Sequence, residues 1–207
     1  MSLDHSPRIA PLSPPYEPEI ASALTKWMPP GSALEPLKLF RTLYQNPNIS
    51  SRMRPLGAGI LGPKSSLDPR QREIVIDRTC ARCGCEYEWG VHVTAFGTAA
   101  GLDRTQLENT ASTTVDKVLW TEHEDVLIRL VDELHETSTI SDALWEQLAA
   151  AWSIPQILEL IVTVGWYHLI SFVANATQIE HEPWAARFPQ PDSEEFQKPG
   201  HGSSERL

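Results

Sequence analysis

Glu73, Cys85, Glu88 and His92 are the residues whose types and spacing suit chemistry. The run Arg82-Cys83-Gly84-Cys85-Glu86-Tyr87-Glu88-Trp89-Gly90-Val91-His92 reads as one helix ending at Gly84 and a second opening at Cys85. On that second helix Cys85, Glu88 and His92 are three and four positions apart and share one stripe. Glu73, on the preceding helix, can aim its carboxylate at the same spot from an antiparallel neighbour.

An imidazole with a carboxylate four residues earlier can act as a base with its orienter, so Glu88 is expected to hold a ring nitrogen of His92. Glu73 is expected to be the complementary acid, because a buried glutamic acid near a second carboxylate holds its proton more tightly. Cys85, at a helix start, sits near the positive end of the dipole, which favours the thiolate. It is equally placed to be a small apolar packing residue. Cys80 and Cys83 form a Cys-x-x-Cys, but one turn apart in a helix they cannot bridge without unwinding it. Cys80, Cys83, Cys85 and His92 are the right types for zinc at too crowded a spacing for a tetrahedral site, so no metal is assigned. Tyr87, Trp89 and His168 are candidate substrate contacts, although Trp89 and His168 equally suit an aromatic and a hydrogen-bonded histidine of the core.

The elements that must position these groups are helical. Glu19 to Trp27 and Ala33 to Gln45 carry apolar residues at helical spacing, and Ser50 to Leu61 is a third segment weakened by Pro55. Ser66-Leu67-Asp68-Pro69 offers a cap with Pro at the first helical position for a helix to Cys83. Glu86 to Ala100 follows, then a shorter segment from Asp103 to Ala111. Thr121 and Glu124 make a capping box for a helix through His135, Ser141 opens another, and Ser153-Ile154-Pro155 leads into a long apolar helix. No alternating β pattern of length appears, so the class is all-α, a multi-helix bundle.

The 207 residues suit one domain with tails: an irregular segment 1–18, a helical domain 19–189 and a loose tail 190–207. With 17 Lys and Arg against 27 Asp and Glu, net −10, nucleic acid and anionic membrane are poor partners. No secretory signal is evident, and Ile154 to Ala176 is interrupted by Gln156, Glu159 and His168, so no membrane span is expected and the default location is the cytoplasm. A small-molecule substrate or a protein is the partner that remains.

Arg72-Glu73, then Tyr87-Glu88-Trp89 with His92, then an Ala-rich stretch to Gly101-Leu102 together resemble the carboxymuconolactone decarboxylase and alkylhydroperoxidase-D-like (AhpD-like) superfamily in a Tyr-Glu-Trp variant. Gly165-Trp166-Tyr167-His168 through Asn175 is similar to the closing helix of those proteins, so the resemblance spans roughly residues 34–188. It implies an all-helical, oligomeric protein: a dimer, trimer or hexamer. In the peroxidase branch a Glu precedes a Cys-x-x-Cys and a His, which places Glu73, Cys85, Glu88 and His92 at those positions. The second thiol is here a carboxylate, so a disulfide between the two positions is excluded. The resemblance therefore implies cofactor-free proton transfer, a decarboxylation or isomerisation of a small cyclic carboxylate, lactone or related carbonyl compound. Its alternatives are a thiol peroxidase or disulfide reductase using Cys85 with His92 and Glu73, and a non-catalytic metabolite-binding oligomer.

Overall fold

The computed structural model describes residues 6–29 and 31–190. Among them the secondary structure is helical without a strand: α1 (Pro18–Thr25), α2 (Lys38–Leu43), α3 (Pro47–Ile60), α4 (Pro69–Arg82), α5 (Glu86–His92), α6 (Arg104–Thr110), α7 (Glu122–Thr137), α8 (Asp142–Ala151) and α9 (Ile154–Thr177). A π-helical turn, Val93–Gly97, continues α5, and a 3₁₀ turn, Lys117–Leu119, precedes α7.

Local signals account for most boundaries. Asp68 accepts the Gln71 N–H and Pro69 opens α4, while Gly84 follows α4 with φ of +61°, a left-handed conformation that costs glycine little. Thr121 with Glu124, and Asp103 with Gln106, form complete capping boxes on α7 and α6. Two segments depart from the sequence reading, while α3 forms where the third helix was expected. The second helix begins only at Lys38, because Pro36 disfavours helical backbone at Glu35 and Leu37 becomes the cap. Helix α3 passes through Pro55, since Ser51, whose carbonyl loses a partner there, is exposed and can be hydrated. Regular α geometry after Glu86 ends at His92, where the π turn takes over.

α4 is the central element and packs against α5, α6, α7 and α9. Ile74 and Val75 face a core built with Leu127, Leu130, Leu148 and Leu160, whereas Ile76 and Cys80 face a second core with Cys85, Trp89, Tyr167 and Ile170. Arg78 is buried and pairs in a fork with Asp132 of α7 at 2.9 and 3.0 Å, and it donates to the carbonyls of Thr110 and Ser112. α9 is long and apolar enough to cross a membrane by composition, yet half of its most apolar window is buried in the bundle. It serves as a core helix.

Both flanking segments dock where described. Arg8 donates its backbone N–H to Thr177 and Leu12 donates to Arg41. After α9, Glu182 accepts the Tyr87 hydroxyl at 2.7 Å and Ala186 donates to the carbonyl of Gly90 at 3.3 Å. That approach requires glycine at 90, because a Cβ there would lie 2.0 Å from the Ala186 carbonyl oxygen. The expected loose tail, 190–207, falls outside the described residues except for Gln190.

Candidate active site

Glu73 and Asp77 lie four apart on α4 and turn the same stripe toward α5. His92 ends α5 opposite them. Its Nδ1 is 2.7 Å from Glu73 Oε2, its Nε2 is 3.1 Å from the Tyr167 hydroxyl of α9, and Glu88 Oε1 lies 3.6 Å from Nε2. The other Glu73 oxygen accepts from Arg72 Nε at 3.1 Å. Glu73 is fully buried and the imidazole nearly so.

Burial alone would push the His92 imidazolium down. The charge and hydrogen bond of Glu73, joined by Glu88, overcome this and raise it to about 10. The ring is therefore an imidazolium at neutral pH. With both nitrogens protonated, Nδ1–H donates to Glu73 and Nε2–H donates to the Tyr167 oxygen, which leaves the tyrosine hydrogen free for another acceptor. Burial, then the charges of Glu88 and Glu73, hold the Tyr167 phenol well above its usual range. Asp77 is fully buried, and neither carboxyl oxygen has a partner among the described residues. Burial and then the charge of Glu73 push its carboxyl well above the usual range, against the opposing pull of His92.

A cavity of about 450 Å³ opens onto this cluster. Glu88, His92 and Tyr167 supply its polar wall, and Trp27, Phe40, Val91, Phe96, Trp166 and Ile170 much of its apolar wall. Exposed Lys26 and half-buried Arg54 add positive charge to the lining. One oxygen of Glu88, Oε2, is buried without a partner among the described residues.

Three sequence-predicted site residues thus converge, with roles redistributed. Glu73 does not line the cavity; it is the orienter of His92, and Glu88 is the carboxylate that faces the space. This reverses the expected division between them. Cys85 is fully buried and outside the cavity lining, and burial followed by the charge of Glu88 pushes its thiol up to about 12. The expected thiolate is therefore overturned: desolvation and an adjacent carboxylate outweigh the helix terminus. Tyr87 donates to Glu182 and accepts from the Leu39 N–H, away from the cavity. Trp89 donates to Thr110 and packs on Phe188. His168 lies on α9 against His135, also outside the lining. The four-residue zinc set does not assemble, because both His92 nitrogens are engaged by Glu73 and Tyr167.

Tyr167 and Asp77 were missed as site residues. Tyr167 stood inside the recognised Gly165-Trp166-Tyr167-His168 segment, and Asp77 follows Glu73 by one helical turn, so both had a signal.

Residues 47–124, which carry Glu73, Cys85, Glu88 and His92, match the model of the Carboxymuconolactone decarboxylase family. No curated protein sequence matches the chain. Among solved structures, the chain is similar to an uncharacterized peroxidase-related protein from Silicibacter sp. TM1040, at TM-score 0.73 and 14% identity, over 87% of this chain and 96% of that one. A complex of the debrominase Bmp8, in a Cys-to-Ala variant, with 2,3,4-tribromopyrrole aligns at TM-score 0.70 and 12% identity, over 85% and 92%. A protein of unknown function from Agrobacterium tumefaciens that carries the name of the antioxidant defence protein AhpD aligns at TM-score 0.61 and 20% identity, over 67% and 94%. Residues 47–124 thus carry a Carboxymuconolactone decarboxylase family segment that holds the site, within an all-helical fold shared with these solved structures.

Proposed function

We propose that the protein is a cofactor-free acid-base enzyme that decarboxylates or isomerises a small cyclic carboxylate, lactone or related carbonyl compound. One observation carries this reading: the groups at the cavity wall are a carboxylate, Glu88, and a hydroxyl, Tyr167, backed by the His92 imidazolium, while the thiols are off it. A carbonyl oxygen seated at Tyr167 accepts its O–H, and His92, held by Glu73, stabilises the charge that grows there. Glu88 takes a proton from the adjacent carbon and returns it elsewhere in an isomerisation. In a decarboxylation the C–C electrons move onto the carbonyl-conjugated carbon as CO₂ leaves, and that carbon is protonated from the Tyr167–His92 pair. Lys26 and Arg54 favour an anionic substrate, and the aromatic wall favours a compact apolar ring.

The thiol-peroxidase alternative draws support from the names of the similar structures, but it needs a reactive thiolate, which the burial of Cys85 opposes. A panel of cyclic keto acids and lactone carboxylates, followed by proton NMR in heavy water for loss of CO₂ or deuterium uptake, tests the proposal. Turnover that persists in a variant with all three cysteines changed to Ser, and collapses in His92→Gln, supports it. Turnover that requires Cys85 and survives His92→Gln overturns it. We also propose a cytoplasmic homo-oligomer, with α9 presenting exposed Leu158, Val162, Leu169 and Phe172 along one face as the association surface.

A further inference from the structure

A second cluster of chemically capable side chains lies outside the cavity, where the C-terminal ends of α4 and α7 meet α9. Cys83 caps α4, His135 is in the last turn of α7, and His168 is on α9. One donor atom from each comes within 4.8 Å of the other two. Cys83 Sγ is 4.0 Å from His135 Nδ1, which is 3.0 Å from His168 Nε2.

The tautomer of His168 gives this cluster direction. Its Nδ1 lies 2.9 Å from the Val164 carbonyl, which can only accept, so Nδ1 carries the proton and the bare Nε2 lone pair points at the other two donors. A backbone carbonyl holding the far nitrogen of an imidazole is also how metal-ligating histidines are oriented. Cys83 is fixed as well: its N–H donates to Thr79, and its carbonyl accepts from Asn175 Nδ2 at 2.9 Å. All three residues are half-buried, reachable from solvent and partly shielded from it.

We propose that Cys83, His135 and His168 bind a borderline divalent ion, zinc in the first place. Ligands at about 2.0–2.3 Å from a tetrahedral zinc stand roughly 3.3–3.6 Å apart, so small side-chain rotations bring the observed separations to fit. One thiolate and two imidazoles are the donors that such an ion prefers, and they leave a fourth position for water. On binding, the ion replaces the Cys83 thiol proton, which leaves to solvent. His135, whose Nδ1–H donates to His168 Nε2 in the metal-free protein, exchanges through solvent to the tautomer protonated at Nε2, which frees its Nδ1 lone pair for the metal. None of the three residues lines the cavity, so the site is separate from the acid-base machinery.

Metal-stripped protein titrated with cobalt(II) alone tests this. The expected result is one ion per chain, with a near-ultraviolet thiolate-to-cobalt band and the visible bands of tetrahedral cobalt, bleached by zinc. Cys83→Ser should abolish the near-ultraviolet band, and His135→Asn or His168→Gln should weaken binding by at least about tenfold. Saturating zinc should also slow iodoacetamide labelling of Cys83 in the unsubstituted protein, a readout that needs no variant to fold. Absence of the cobalt band, a band that survives Cys83→Ser, or labelling of Cys83 unchanged by zinc would each overturn the proposal.

Discussion

His92 concentrates the consequences of this fold at a single ring. Its pKa rises from 6.5 to about 10 on folding, so the stability it contributes is fully present below pH 6.5 and is lost as pH rises through about 10. The melting temperature should therefore fall between pH 7 and pH 10, and His92→Gln should flatten that slope; circular dichroism melts at several pH values read both. On the proposed reaction, His92→Gln should lower kcat by roughly 10²–10⁴, the usual size of an acid-base contribution. The thiols give a separate check. Native protein treated with iodoacetamide at pH 8 should be alkylated at half-buried Cys83 well before fully buried Cys80 and Cys85, as peptide mass spectrometry would show. What was legible at this scale follows from helix geometry: Glu88 and His92 had to share a face, and Glu73 could reach them from a neighbouring helix. Burial is not written in spacing. That is why Cys85 read as a thiolate; Glu73 read as an acid because spacing does not show that His92 and Arg72 engage its two oxygens, and Tyr167, 75 positions beyond His92, entered only when α9 packed beside α5.

At the scale of elements, two contacts carry most of the positioning. Arg78 ties α4 to α7 and to the end of α6, and its side chain is almost wholly buried. Arg78→Met should destabilise the protein by about 1–3 kcal/mol, because it leaves the carbonyls of Thr110 and Ser112 without their donor and Asp132 with Arg82 alone. Gly90 allows the 186–188 segment to lie directly on α5, so Gly90→Ala should cost about 1–3 kcal/mol and loosen that segment before the core, which chemical denaturation and hydrogen exchange would separate. The caps of α4, α6 and α7 were readable because a side-chain oxygen and a backbone N–H three positions on need no tertiary context. The start of α2, where proline competes with apolar periodicity, was not. Pro36 shortened α2, whereas the expected third helix formed through Pro55 at an exposed site.

At the scale of the molecule, α9 has two occupations. One side closes the bundle with Ile157, Leu160, Val164 and Ile170, and the other leaves Leu158, Val162, Leu169 and Phe172 facing out. For the proposed oligomer, Phe172→Glu should lower the mass found by sedimentation equilibrium while the far-ultraviolet spectrum is retained. The all-helical class was legible because periodicity is a property of the whole chain, but the sequence gives no distance between helices. The Cys83, His135 and His168 cluster, drawn from three helix ends, could therefore not be seen in it.

The π turn after His92 sets a phase as well as a shape. A backbone that closes each hydrogen-bonded loop one residue late contains, in effect, one residue more than an α-helix would need over Val93–Gly97. The residues of its second half are rotated by that extra residue: Ala95 and Phe96 on the cavity wall and Gly97 against Leu107. Deleting Ala95 should let the segment relax to plain α geometry, leaving His92 in place but turning Phe96 off its ring, now 5.1 Å away. The length of this turn thus sets where Phe96 stands against the imidazole.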